Sequence, residues 1–224
     1  MNEIAKYIDH TFLKANGTKE QVIRVCDEAR RFGFAAVCTN PVFTLVAAEA
    51  LKGSNVKVCT VVGFPLGATT TEVKVFETQQ AVNNGAQEID MVINIGALKA
   101  GELAIVENDI AAVVKAAGDA IVKVIIETCY LSEKEKEKAC MAAFEAGAHF
   151  IKTSTGFGTN GATEEDVKLI KKIVGDKMYV KASGGIREID AALRMIKAGA
   201  ARIGTSSGVE ICEGKRDIIV DYVK

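Results

Sequence analysis

The sequence predicts a single α/β domain over residues 1–224, a (βα)8 barrel. Three observations carry that reading. Amphipathic helical stretches alternate with β-rich runs from end to end, with no Pro- or Ser-rich linker between them. A glycine stands at the helix-to-strand junctions. The β-rich runs are near-continuously apolar rather than alternating, as strands of a parallel sheet buried on both faces read. Parallel strands need helical crossovers, and eight such units in 224 residues fit a compact closed barrel. An open doubly wound sheet is the alternative.

The elements follow in order. "YIDHT" opens the strand series. Thr18 precedes Gln21 by three, the spacing of a capping box, and Val22, Val25, Cys26, Ala29 and Phe32 then mark one helical face. Gly33 closes that helix before "FAAVCTN", Gly53 precedes "VKVCTVVGF", Gly85 precedes "EIDMVINIG", and Gly118 precedes "AIVKVIIET". Ser132 with Glu135 repeats the capping-box spacing, and Gly147 leads into "HFIKTSTG". Thr163 with Asp166 repeats it again with a shorter acid, Gly175 precedes "MYVKASGG", and Gly199 precedes "ARIGTSS". All seven glycines are expected in the left-handed region just past a helix end, where a Cβ would be strained.

Composition narrows the function. Hydrophobic residues make up 49% and charged residues 25%, with a net charge of −1, so nothing argues for nucleic acid or an anionic membrane as partner. No run reaches the length of a membrane-spanning helix, and "MNEIAKYIDHTFLK" lacks the apolar core of a secretion signal, so a cytoplasmic protein is expected. The six cysteines, Cys26, Cys38, Cys59, Cys129, Cys140 and Cys212, form no C-x-x-C and read as small buried hydrophobes rather than disulfides or a zinc site. His10 and His149 are too scattered for a metal cluster. No metal and no cofactor are expected. The sequence leaves a homo-oligomer open.

Active sites of such barrels lie at the C-terminal strand ends. Polar residues gather there: Asp9, His10 and Thr11; Cys38, Thr39 and Asn40; Asp90 and Asn94 on the fourth strand; Glu127 and Thr128 on the fifth; Lys152, Thr153 and Ser154 on the sixth; Lys181 and Ser183 on the seventh. Ordinary turn chemistry accounts for Thr39, Thr128 and Thr153 taken singly. It fits Lys152 and Lys181 poorly, because an ammonium in a two-sided buried strand is costly unless it is paired or loses its proton. The two lysines are 29 residues apart (181 − 152), one βα unit, which predicts equal heights on neighbouring strands. Like charge and desolvation both favour a neutral amine, the form that attacks a carbonyl. Lys152 is therefore read as a Schiff-base lysine and Lys181 as the neighbour that keeps it deprotonated. Asp90, in an otherwise apolar strand, is the third member; it either relays protons with a lysine through a water or forms a structural ion pair. Lys123, nearer its strand's start, is either a deeper cation or a chain that reaches out at the barrel's bottom.

"SGGIRE" and "GTSSG" follow the last two strands, where barrel enzymes often hold a phosphate. Gly184 and Gly185 would present backbone N–H groups, Ser206 and Ser207 hydroxyls and N–H groups, and the "STGFG" loop would close the third side. The residues thus describe a phosphate-anchored, metal-free aldolase that works through a lysine iminium. An enediolate isomerase and a non-catalytic sugar-phosphate-binding barrel are the competing readings.

"IDHT", "VCTNP", "EIDMVINIG", "FIKTSTGF" and "VKASGGIR" together, in order along nearly the whole chain, resemble deoxyribose-phosphate aldolase. The resemblance implies reversible cleavage of 2-deoxy-D-ribose 5-phosphate to acetaldehyde and D-glyceraldehyde 3-phosphate. It implies Lys152 as the Schiff-base lysine and Lys181 with Asp90 as the proton donor/acceptor pair. It further implies that Asp9, near the mouth, orients a substrate hydroxyl, that Cys38 is a mouth cysteine able to meet aldehydes, and that Gly184, Gly185, Ser206 and Ser207 hold the phosphate. One departure stands out: some relatives carry a lysine directly after "KTSTG", and here that position is Phe157. Some relatives also close the site with a C-terminal tyrosine, which here would be Tyr222.

Overall fold

A computed structural model describes residues 3–214; Tyr222 lies outside them. Eight parallel strands close into a barrel in sequence order, β1 (Ile8–Phe12), β2 (Ala36–Thr39), β3 (Lys57–Val62), β4 (Glu88–Val92), β5 (Ile121–Ile125), β6 (Phe150–Lys152), β7 (Tyr179–Ser183) and β8 (Arg202–Thr205). The ring closes where β1 pairs with β8, Ile8 opposite Ile203. The outer helices are α1 (Lys19–Phe32), α2 (Thr44–Ala50), α3 (Thr71–Asn83), α4 (Ile95–Lys99), α5 (Leu103–Ala117), α6 (Glu133–Glu145), α7 (Glu164–Val174), α8 (Ile189–Ala198) and α9 (Gly208–Cys212). The open-sheet alternative is thereby removed. No helix among the described residues is long and apolar enough to cross a membrane.

The capping boxes of α1 and α6 form as read. Thr18 N–H donates to Gln21 Oε1 at 2.9 Å, and Ser132 N–H donates to Glu135 Oε2 at 2.8 Å. The third is one-sided: Asp166 N–H donates to Thr163 Oγ1 at 3.0 Å, but the Asp166 carboxylate is too short to reach back and instead pairs with Lys136 of α6. All seven junction glycines have positive φ, yet Gly118 and Gly175 fall outside the left-handed helical region, with ψ of −118° and −132°, a conformation closed to residues with a Cβ.

Two boundaries differ from expectation. Asn94 is not on β4 but caps α4, accepting from Ala97 N–H at 3.0 Å, and the β4–β5 crossover carries two helices, α4 and α5, instead of one. Glu127 and Thr128 lie beyond β5, at a 3-10 turn.

Alternation along the strands decides where the charges go. Ile89 and Met91 of β4, Val122 and Val124 of β5, Ile151 of β6, and Val180 and Ala182 of β7 join the apolar layer between sheet and helices. Each large aliphatic side chain fully buried there contributes roughly 1.5–3 kcal/mol. The residues between them, Glu88, Asp90, Lys123, Lys152 and Lys181, point the other way and are buried together inside the barrel. A smaller apolar group, Ala36, Cys38, Cys59 and Val61, fills the β2–β3 side of the interior, with Leu13 and Phe64 packed against it.

Candidate active site

The register places Lys152 opposite Lys181 on β6 and β7, and Asp90 opposite Lys123 on β4 and β5. Asp90 is the hub. Its Oδ2 accepts from Lys152 Nζ at 2.8 Å and from Lys181 Nζ at 2.7 Å, and its Oδ1 from Lys123 Nζ at 3.0 Å. Lys181 also meets Asp9 Oδ2 at 2.5 Å. Lys123 meets Glu88 at 2.5 Å, and Arg202 links Asp9 and Glu88 at 2.5 and 3.0 Å. Of the two readings of Lys123, the deeper cation is therefore the one found.

Burial alone would raise the Asp90 carboxyl, but Lys123, Lys152 and Lys181 outweigh it and hold the group well below the usual carboxylate range. Asp9, opposed by burial and favoured by Lys181, Lys123 and Arg202, is held at about 2. For Lys181 burial works downward, yet Asp9 and then Asp90 keep it above the ordinary lysine range, so it is a permanent cation. Burial is likewise outweighed at Lys123, by Asp90, Cys59, Glu88 and Asp9. In this cluster four cations (Lys123, Lys152, Lys181, Arg202) face three carboxylates (Asp9, Glu88, Asp90). Lys152 is the cation with a single carboxylate contact and the one that reaches the cavity. Removing one proton from it leaves the cluster in balance.

Gly204 makes room for this arrangement: a Cβ there would stand 3.1 Å from Lys181 Cε and 2.9 Å from Ser183 Cβ.

Above the cluster opens a cavity of about 340 Å³ at the C-terminal ends of β6, β7, β8 and β1. Lys152, Gly184, Gly185 and Ser206 line it as expected, together with Thr11, Leu13, Lys14, Phe157, Arg187 and Thr205. Asp90 and Lys181 lie beneath its floor. Three expectations need correction. Asp9 is not at the mouth; it is fully buried one layer below, and Lys181 and Arg202 draw its carboxylate inward. Cys38 is fully buried beside Cys59, covered by Leu13 and Phe64, and does not line the cavity. Ser207 does not line it either, and its N–H is taken by Thr205 Oγ1 at 2.9 Å.

The interior cysteines are also more than space-fillers. Cys59 Sγ donates to Asp90 Oδ1 at 3.2 Å, and Cys38, Cys59 and Asp90 bring ligand atoms within 4.8 Å of one another. Three ammonium groups already surround Asp90, so a metal cation placed there meets repulsion. His10 pairs outward with Glu28 at 2.7 Å, and His149 Nδ1 accepts from Val122 N–H at 3.1 Å.

Several residues escaped the sequence reading. Glu88 and Arg202 complete the charge cluster; both sit two residues from an inward position of their strand, a period-2 signal that was available. Glu127 is the non-glycine residue with positive φ among the described residues (φ 49°), and its buried carboxylate accepts from the N–H and hydroxyl of Thr155. It thereby fixes the "STGFG" loop. From that loop Phe157 meets Phe64 of the β3–α3 loop edge-to-face, with ring centres 5.4 Å apart.

Known proteins share this constellation's chain. The family model described as DeoC/LacD family aldolase matches residues 3–214. A deoxyribose-phosphate aldolase of Geobacillus sp. (strain WCH70) is 61% identical over 215 residues, covering 96% of each chain. Another, of Thermococcus gammatolerans (strain DSM 15229 / JCM 11827 / EJ3), is 63% identical over 219 residues, covering 96% of this chain and 97% of that one. Among solved structures, the tetrameric deoxyribose phosphate aldolase of Aeropyrum pernix superposes with a TM-score of 0.88 at 36% identity, covering 94% of this chain and 89% of the other.

Proposed function

The chain belongs to the DeoC/LacD family of aldolases, and from that premise we propose how its own residues, acting as one catalytic unit over 1–224, carry out the family's chemistry. The activity is that of a deoxyribose-phosphate aldolase, a lyase: reversible cleavage of 2-deoxy-D-ribose 5-phosphate to acetaldehyde and D-glyceraldehyde 3-phosphate, a step of deoxyribose phosphate catabolism.

The neutral Lys152 amine attacks the C1 aldehyde of the open-chain substrate, and loss of water gives an iminium. A water held between Asp90 and Lys181 takes the C3 hydroxyl proton. The electron pair of the C2–C3 bond flows into the iminium, D-glyceraldehyde 3-phosphate leaves, and an enamine remains on Lys152. Protonation of that enamine and hydrolysis by water release acetaldehyde and the free amine. No metal or cofactor enters this scheme, because the iminium is itself the electron sink. Gly184 and Gly185 N–H groups with the Ser206 hydroxyl receive the phosphate. Asp9 acts through Lys181, orienting it from below.

The observation that carries the reading is Lys152 Nζ, open to the cavity while held 2.8 Å from an Asp90 that Lys181 backs. An isomerase would need a carboxylate free to act as base, and Asp90 is engaged by three lysines. Borohydride reduction in the presence of acetaldehyde tests it. An N-ethyl group is expected on the peptide containing Lys152 and is lost in Lys152→Ala, which keeps the wild-type circular dichroism spectrum. An adduct on a different residue, or none, overturns the assignment.

The compartment proposed is the cytoplasm, whose reducing conditions suit six free cysteines. A homo-oligomer is proposed on the strength of the tetrameric relative, and light scattering of the purified protein decides it.

A further inference from the structure

Where some relatives place a lysine, this chain has Phe157, a side chain 59% exposed and without charge. The cavity wall is nonetheless one-signed. It holds three cations, Lys14, Lys152 and Arg187, and no carboxylate. Lys152 belongs to the carbonyl end, where Asp90 holds it. Arg187 follows directly on the Gly184–Gly185 turn. Lys14 comes from the loop after β1.

The four loops that build the cavity follow consecutive strands of the barrel, β6, β7, β8 and β1. Phe157 and Lys14 stand on the two outer loops, on either flank of the Gly184–Gly185 and Ser206 cradle. Neither Lys14 nor Arg187 has an ion-pair partner among the described residues. The Lys14 loop is also held in place. Gly17 N–H donates to the Lys14 carbonyl at 3.1 Å, and the turn closes so tightly on Phe12 that a Cβ at Gly17 would stand 2.4 Å from the ring.

We infer that Lys14 is the phosphate-anchoring cation of this site, standing on the β1 flank in place of the lysine that Phe157 replaces on the β6 flank, and that it sets the preference for phosphorylated over plain 2-deoxyribose. The inference rests on the aldolase reading above. The chemistry is that of a phosphate monoester dianion: backbone N–H and hydroxyl groups fix its orientation, and an ammonium supplies the charge-assisted hydrogen bond. Such a bond changes affinity by roughly 10- to 100-fold.

The test compares kcat/KM for 2-deoxyribose 5-phosphate and for 2-deoxyribose in wild type, Lys14→Gln and the double variant Lys14→Gln/Phe157→Lys. Lys14→Gln is expected to lower the phosphorylated-to-plain ratio by roughly 10- to 100-fold, through KM rather than kcat. Phe157→Lys in that background is expected to restore much of the ratio. A ratio unchanged by Lys14→Gln overturns the inference, as does an equal loss on both substrates, which marks a structural role. The acetaldehyde–borohydride trap, which involves no phosphate, is run on the same proteins. Its failure in the wild type would strike the Schiff-base reading instead, so the two outcomes stay separate.

Discussion

Replacing Lys181 by methionine isolates the electrostatic role assigned to it. Lys152 and Lys181 each bond Asp90 Oδ2, at 2.8 and 2.7 Å, which puts the two nitrogens at most about 5.5 Å apart. Two unit charges at that distance repel by about 3 kcal/mol at an effective dielectric of about 20, equivalent to about two pH units. The sign is fixed by the charge count. Without Lys181, a protonated Lys152 balances the remaining cluster, and the protonated amine is the unreactive form. The acid limb of kcat/KM against pH is therefore expected to move upward by about two units, with activity recovering toward alkaline pH. Removing one partner of a buried pair also costs roughly 3–5 kcal/mol of stability, so profiles are taken below the variant's melting temperature. The assay is the initial rate of 2-deoxyribose 5-phosphate cleavage, with glyceraldehyde 3-phosphate read out through a coupled dehydrogenase, across neutral to alkaline pH. A variant whose profile keeps the wild-type shape, at whatever height, refutes the repulsion argument and leaves Lys181 with proton transfer alone.

Two further outcomes follow from the same cluster. The Asp9 carboxyl is lowered from 3.8 to about 2 in the folded protein. It therefore contributes about 2 kcal/mol that is fully present above its unfolded value and is lost as pH falls through its folded one. The gap in urea midpoint between wild type and Asp9→Asn should accordingly narrow between about pH 5 and pH 2; a constant gap would contradict it. Gly204→Val puts atoms where Lys181 Cε now passes, 3.1 Å from the ideal Cβ, so the ammonium must move off Asp90. Turnover should fall roughly 100-fold while the acetaldehyde adduct still forms on Lys152, and a variant with full turnover would show that the placement of Lys181 does not matter.

The strand count, the barrel and the Lys152–Lys181 pairing were legible because each rests on local chemistry or on spacing along the chain. A glycine after a helix and a 29-residue repeat between lysines survive without knowledge of the tertiary structure. Partners across the barrel do not. Arg202 on β8 reaches Glu88 on β4, and Asp9 on β1 meets Lys181 on β7, contacts set by how the interior fills once the ring closes. The depth of Asp9 and Cys38 was misjudged for the same reason: the resemblance supplied a strand end, and depth follows from what lies above. The cavity's flanks were illegible because loop side chains from β1, β6 and β7 converge only in three dimensions. Phe157 was noticed as a missing charge, but Lys14, more than a hundred residues away in sequence, carries no signal that it faces the same space.

The ionic interior has a bearing on heat tolerance. Ion pairs sealed inside a protein are often no better than well-fitted hydrocarbon, and exchanging them for aliphatic side chains commonly gains about 1–4 kcal/mol. A barrel refilled with leucine and methionine at these positions would stand as firmly as this one and do nothing. Selection for endurance in a working enzyme is thereby steered outward, to the helix–sheet layer, the loops and the contacts between subunits.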